Sequence, residues 1–170
     1  MAFALFSKFK TYRLNAMEEF LQIVADLLES EEVQSLDSFV QHHCFTRLRH
    51  SLDVAYFSFF ITRLFRWDFK SAARGGLLHD LFYYDWREIH TGRQHLVSHP
   101  IVALENARNL CELNHVEEDI IRKHMWLITL TPPRYKEAFV VTFVDKYCAL
   151  REFSIGIFAR GRVRTANAHV

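Results

Sequence analysis

The stretch Gly75-Gly76-Leu77-Leu78-His79-Asp80-Leu81-Phe82-Tyr83-Tyr84-Asp85-Trp86 carries an apolar, helix-like run into two metal-capable side chains. A histidine and an aspartate at the end of a core-forming segment are costly unless they are paired or coordinated. The pattern breaks at the same point. From residue 82 to residue 97 the apolar spacing disappears and Tyr, Trp, Arg, His and Gly take over, the composition of a long functional loop. The pair Gly75-Gly76 lies inside the helical run and lacks the further glycines and lysine of a phosphate-binding loop. Close helix packing beside His79 is the expected reason for it.

Working outward, five Gly and three Pro in 170 residues leave little turn chemistry, and apolar residues recur at spacings of three and four. An all-α fold is expected. A first helix over about residues 14–29 presents Phe20, Leu21, Val24, Leu27 and Leu28 on one face. A short helical turn follows near residues 33–39, then a long helix over about 46–66 with Leu48, Leu52, Ala55, Phe59 and Leu64 inward. Asp68 is placed to cap the next helix, which reaches about Leu81. Ser98 is expected to cap another, with Pro100 near its first turn. Asn114 and Glu117 are spaced as a capping box opening a helix over about 115–128. After Thr131-Pro132-Pro133 a last helix runs over about 134–153. Residues 154–170, with Arg160, Arg162 and Arg164, read as a flexible basic tail. There is no repeat or composition shift, so one domain over 1–170 is expected: N-terminal helices over 1–42, then a motif-bearing core over about 43–152. The string Phe57, Phe59, Phe60 and Phe65 reads as core.

Composition narrows the function classes. A half-hydrophobic chain of this length buries a core without disulfides or a structural metal. A net charge of +1 supplies no field for a nucleic-acid polymer or a membrane surface, and no uncharged apolar run approaches the roughly 20 residues that span a bilayer. Cys44, Cys111 and Cys148 are odd in number and form no Cys-x-x-Cys pair, which suits reduced core thiols. The opening residues lack the pattern of a signal peptide, so a cytoplasmic location is expected.

Ten histidines need an explanation. A lone His-Asp dipeptide means little, but His50, His79, Asp80, His99, His124 and Asp145 fall on five successive expected helices, several in apolar surroundings. Facing side chains in a helical bundle are how such proteins build metal sites. Four imidazoles and two carboxylates without a thiolate suit iron, manganese or zinc, and exceed the three or four protein ligands of a single catalytic zinc. Two divalent ions are the natural fit, with the two oxygens of Asp80 as the candidate bridge. His42, His90, His115 and His169 read as ordinary solvated or hydrogen-bonded histidines.

The order His50, His79-Asp80, His99, His124, Asp145 resembles the HD-domain superfamily of metal-dependent phosphohydrolases. Local context adds to the likeness: Arg49-His50-Ser51-Leu52, Gly76-Leu77-Leu78-His79-Asp80, His99-Pro100, His124-Met125-Trp126 and Val144-Asp145-Lys146. The resemblance spans about residues 43–152. It implies a helical HD bundle with the metal site between helices. It also implies two metals, because His99 and His124 extend the minimal His, His-Asp, Asp set. It implies hydrolysis of a phosphomonoester or phosphodiester, of a nucleotide or similar small metabolite, by a metal-activated water. The superfamily also includes enzymes like myo-inositol oxygenase that use a similar set for dioxygen chemistry, and a binding module without turnover is a third reading.

Cations near the ligands are candidates for the substrate's phosphate. Lys146 leads, because it accompanies the last ligand in the family-like Asp-Lys pair and is expected to act in catalysis with Asp80. Arg87 and Arg93 in the loop come next, then Lys123. His43, His95 and Trp126 are candidates for the rim of the pocket. Asp85, Glu88 or a loop histidine are candidate donors of the leaving-group proton. An oligomer is compatible with the sequence.

Overall fold

The computed structural model describes residues 2–42, 45–85 and 92–167, with side chains at 14–41, 45–85 and 95–157. It is mainly α-helical. Helix α1 spans Ala2–Leu28 and α2 spans Glu31–Gln34, followed by a 3-10 turn at Ser35–Ser38. A two-stranded antiparallel ribbon, β1 (Val40–His42) with β2 (Phe45–Thr46), pairs Val40 with Thr46 and His42 with Phe45. Then come α3 (Arg47–Leu64), α4 (Phe69–Leu78), α5 (Gly92–Leu110), α6 (His115–Lys123) and α7 (Lys136–Asn167). None of these helices is long and apolar enough to cross a membrane.

The helix starts follow local chemistry. Thr46 accepts the backbone N–H of Arg49 and so opens α3, and Asp68 accepts that of Ser71 to open α4. Both halves of the capping box are formed at α6: Asn114 accepts from Glu117 N, and Glu117 accepts from Asn114 N.

Helix α4 is the hub. Ala73, Leu77 and Leu78 join Phe20, Val24 and Leu27 of α1, Ala55 and Phe59 of α3, Ala103 and Leu104 of α5, and Ile121 of α6 in one core. A second core, Val54, Ile120, Ala138, Val141, Val144 and Cys148, locks α7 onto α3 and α6. Cys148 behaves as a core thiol, pushed up to about 12 by burial. The glycine pair is where α4 makes its closest approaches. A Cβ on Gly76 would lie 3.0 Å from the Ala55 Cα of α3, and one on Gly75 would lie 2.9 Å from Ile120 of α6.

Four boundaries differ from the sequence expectation. Helix α5 begins at Gly92, not at Ser98, because the Ser98 hydroxyl turns back onto the His95 carbonyl rather than capping. Pro100 is therefore inside the helix, and His95 and His99 share one face. Helix α6 stops at Lys123 rather than near residue 128. There the His124 ring takes the Ile121 carbonyl, and Leu127 adopts a left-handed conformation with φ of 86°. The last helix continues through residues 154–167 instead of ending at Phe153. The first extends back to Ala2. The ribbon was not expected either; it carries Gln41 and leads directly into Arg47.

Candidate metal centre

Five helices bring the six expected ligands together. His50 projects from the first turn of α3, His79 caps the C-terminus of α4 with Asp80 next to it, and His99 lies on α5. His124 caps the C-terminus of α6, and Asp145 lies on α7. The four histidines and Asp80 are buried, and Asp145 is nearly so.

The donor atoms form two groups. Asp145 Oδ1 lies 3.1 Å from His50 Nε2 and 3.7 Å from His79 Nε2. Asp80 Oδ1 lies 3.3 Å from His99 Nε2 and 3.5 Å from His124 Nε2, and those two nitrogens are 2.9 Å apart. Asp80 Oδ2 is 3.7 Å from His79 Nε2. Asp80 thus stands between the groups, one oxygen toward each. The donor atoms of His50, His79 and Asp145, and those of His79, Asp80 and His124, each fall within 4.8 Å of one another, as a metal ion requires.

Tautomers follow from the partners of the other ring nitrogen. A backbone carbonyl can only accept, so Nδ1 carries the proton in His79 (to Gly76 O, 2.7 Å), His99 (to His95 O, 2.9 Å) and His124 (to Ile121 O, 2.8 Å). Each Nε2 then points a lone pair inward, the arrangement that orients metal-binding imidazoles. His79 Nε2 and Asp80 Oδ1 are buried without a hydrogen-bond partner, and the lone pairs of His99 and His124 face each other. Buried acceptors left so cost about 1–3 kcal/mol apiece. A cation among them removes that penalty, so the residues present fit a metal.

Without a cation, protons serve. Burial alone would lower the His50 imidazole, but the carboxylates of Asp145 and Glu152 outweigh it and hold it up at about 10. His79 is also raised, Asp80 and Asp145 overcoming its burial. Burial would raise both carboxyls, yet His79, His99 and His124 hold Asp80 well below the carboxylate range, and His50 and His79 do the same for Asp145. His124 is driven the other way, to about 3, by burial and then by the charges of His79 and His99.

A supporting shell surrounds the ligands. Both oxygens of the buried Glu152 lie against His50 Nδ1, at 3.0 and 3.1 Å. Gln41 Nε2 donates to Asp80 Oδ2 at 2.7 Å, and Arg47 Nε donates to Gln41 Oε1 at 3.0 Å. The buried Arg47 also donates to the carbonyls of Phe82 and Tyr84 and lies over the Phe82 ring. None of these three residues stood out in the sequence. Glu152 had a signal, since it follows Asp145 by seven residues on one helix face. Arg47 had a weaker one, three residues before His50, and Gln41 had none.

The centre opens into a cavity of about 260 Å³. Its walls are Phe82, Leu96, Met125, Ile128 and Ala149, with His95, Gln41, Lys146 and the ligands Asp80, His99, His124 and Asp145 supplying the polar part. Lys146 Nζ donates to the His124 carbonyl at 2.9 Å and lies 3.5 Å from Asp145 Oδ2. His95 stacks on His99 with ring centroids 4.7 Å apart, and its Nδ1 lies 3.3 Å from the Tyr84 hydroxyl. Lys123 turns away, pairing with Asp119 at 2.8 Å one helical turn back. Trp126 packs edge-on against Phe139 and Phe143 rather than lining the cavity. His43 and Arg87 lie outside the described residues, as do Glu88 and the side chain of Arg93.

No known family, curated protein or solved structure matches this chain. A helical architecture with clustered His and Asp side chains able to bind a metal stands on the geometry alone, and it is compatible with an HD-like fold.

Proposed function

We propose that this chain is a metal-dependent phosphohydrolase of the HD type that holds two divalent ions, iron, manganese or zinc, and cleaves a phosphate ester of a small molecule. The observation that carries the reading is the division of six donor groups about Asp80, whose two oxygens face separate histidine groups. His50, His79 and Asp145 would hold one ion, His99 and His124 the other, and Asp80 both. When bound, such ions acidify a water to a nucleophile at neutral pH and neutralise the phosphoryl oxygens during in-line displacement.

The chain's own side chains do the rest. Nδ1 bonds to Gly76, His95, Ile121 and Glu152 hold the four rings in place. Gln41, itself held by Arg47, fixes one face of Asp80. Lys146 spends two of its three hydrogens on the His124 carbonyl and Asp145, leaving one for an anionic substrate oxygen. The apolar lining lowers the polarity around the ligands and so strengthens these charge interactions.

The test is metal content per chain with a phosphoester panel, wild type against Asp80→Ala. Two equivalents of metal and ester hydrolysis, both falling sharply in the variant, are expected; a metal-loaded protein inert on every ester would sink the proposal. One observation favours a second reading: each group is two histidines and one carboxylate, the set used by non-haem iron oxygenases. Oxygen uptake with iron and none with manganese would select it.

A further inference from the structure

Among the described residues, the cavity in front of the candidate centre offers little with which to read a sugar or a base. Its polar side chains beyond the ligands are Gln41, His95 and Lys146 among the described residues, and each already has partners. Gln41 has one end on Asp80 and the other on Arg47. His95 Nδ1 faces the Tyr84 hydroxyl. Lys146 keeps one hydrogen. Beside them, Phe82, Leu96, Met125, Ile128 and Ala149, from four separate parts of the fold, make most of the lining apolar. A ribose set against that lining would bury hydroxyls with no partner, at about tenfold in affinity for each. The volume of about 260 Å³ is below the roughly 300–1,000 Å³ of sites that enclose drug-sized ligands. A single described cation, Lys146, suits one phosphate group rather than a polyphosphate chain.

We infer that the substrate is the phosphomonoester of a compact apolar alcohol, aryl or short alkyl, with its phosphate at the histidine end and its organic group against Met125 and Ile128. This rests on the phosphohydrolase reading. In the reaction the oxygen of water bonds to phosphorus and the phosphorus–oxygen bond to the alcohol breaks. The alcohol leaves carrying a proton, with inorganic phosphate as the other product.

The test compares kcat/KM of the manganese-loaded full chain on phenyl phosphate and n-hexyl phosphate with ribose 5-phosphate and AMP. Calorimetry of phenylphosphonate against methylphosphonate reads the same lining without turnover. Expected are a preference of about tenfold or more for the apolar esters and a similar gain in phosphonate affinity. Ile128→Asn, at a half-exposed position that tolerates a polar side chain, should erase most of that preference. Met125→Asn provides a second site. Equal or better turnover of ribose 5-phosphate and AMP would overturn the substrate class and leave the phosphohydrolase reading standing. Hydrolysis of none of the four would overturn the substrate class, and inertness on the whole ester panel would overturn the phosphohydrolase reading with it.

Discussion

Loading a metal at His50 must expel a proton, and the structure sets how tightly that proton is held. In the metal-free chain the His50 ring bridges two carboxylates, Nδ1 to Glu152 and Nε2 to Asp145, and is held at about 10. At pH 7.5 that ring is therefore predominantly protonated. A cation needs Nε2 bare, so the apparent affinity lies well below the intrinsic one and rises by up to about tenfold per pH unit. His79, raised as well, can add a second proton. Calorimetric titration with zinc at pH 7.5, in buffers of different ionisation enthalpy, counts the protons released. We expect one to two for the first ion, and an affinity that climbs between pH 6.5 and 8.5. Glu152→Gln keeps an acceptor for Nδ1–H while removing one of the two charges that hold the His50 proton, so its proton count should fall below that of the wild type and its affinity should depend less on pH. Zero protons from the wild type, with a flat pH dependence, would refute the protonated His50 bridge.

The metal-free protein should be most stable near pH 6.5. Raising pH from 6.5 toward 10 strips the proton that the folded state holds on His50, while lowering it below 6.5 protonates the unfolded chain before His124 and His95, held at about 3 and 4 when folded. Melting scans in chelator that change monotonically from pH 5 to 9 would contradict this. Gly76→Ala gains about 1 kcal/mol of helix propensity but forces a Cβ to 3.0 Å from the Ala55 backbone, an overpacking of about 1–3 kcal/mol. The net loss should appear as a lower Tm and, because Gly76 O holds His79, as weaker metal binding; an unchanged Tm and affinity would argue against the close approach. Leu127→Gly relieves a left-handed residue that is 59% exposed. It should raise stability by about 0.5–1 kcal/mol in chemical denaturation, the strain outweighing the entropy of a new glycine; a loss of stability would refute it.

The six candidate ligands were legible because each is a residue type that an apolar helix has little other reason to bury. The capping residues Asp68 and Asn114 were legible because caps are local. What escaped depends on contacts distant in sequence. Glu152 acquires its role only when α7 packs across α3, 102 residues from its partner His50. Gln41 matters only because a ribbon with no strong sequence signal lays it over Asp80. The start of α5 was misplaced because a Ser-x-Pro reads as a helix opening, whereas here the hydroxyl bonds backward within a helix already formed. Helix α6 was overextended because its apolar spacing continues past His124, where ring and backbone geometry end it.

The donor groups at 50, 79, 80, 99, 124 and 145 belong to five helices that touch at one place. Any ion bound there would tie together positions almost a hundred residues apart, much as a disulfide does, and only in the folded chain. An ion present at about a thousand times its Kd adds about 4 kcal/mol to folding. Damage to one ligand would then be felt first as a shorter-lived protein rather than a slower one, with abundance in the cell falling before any assay of turnover begins. Metal supply would set how much of this protein a cell can keep.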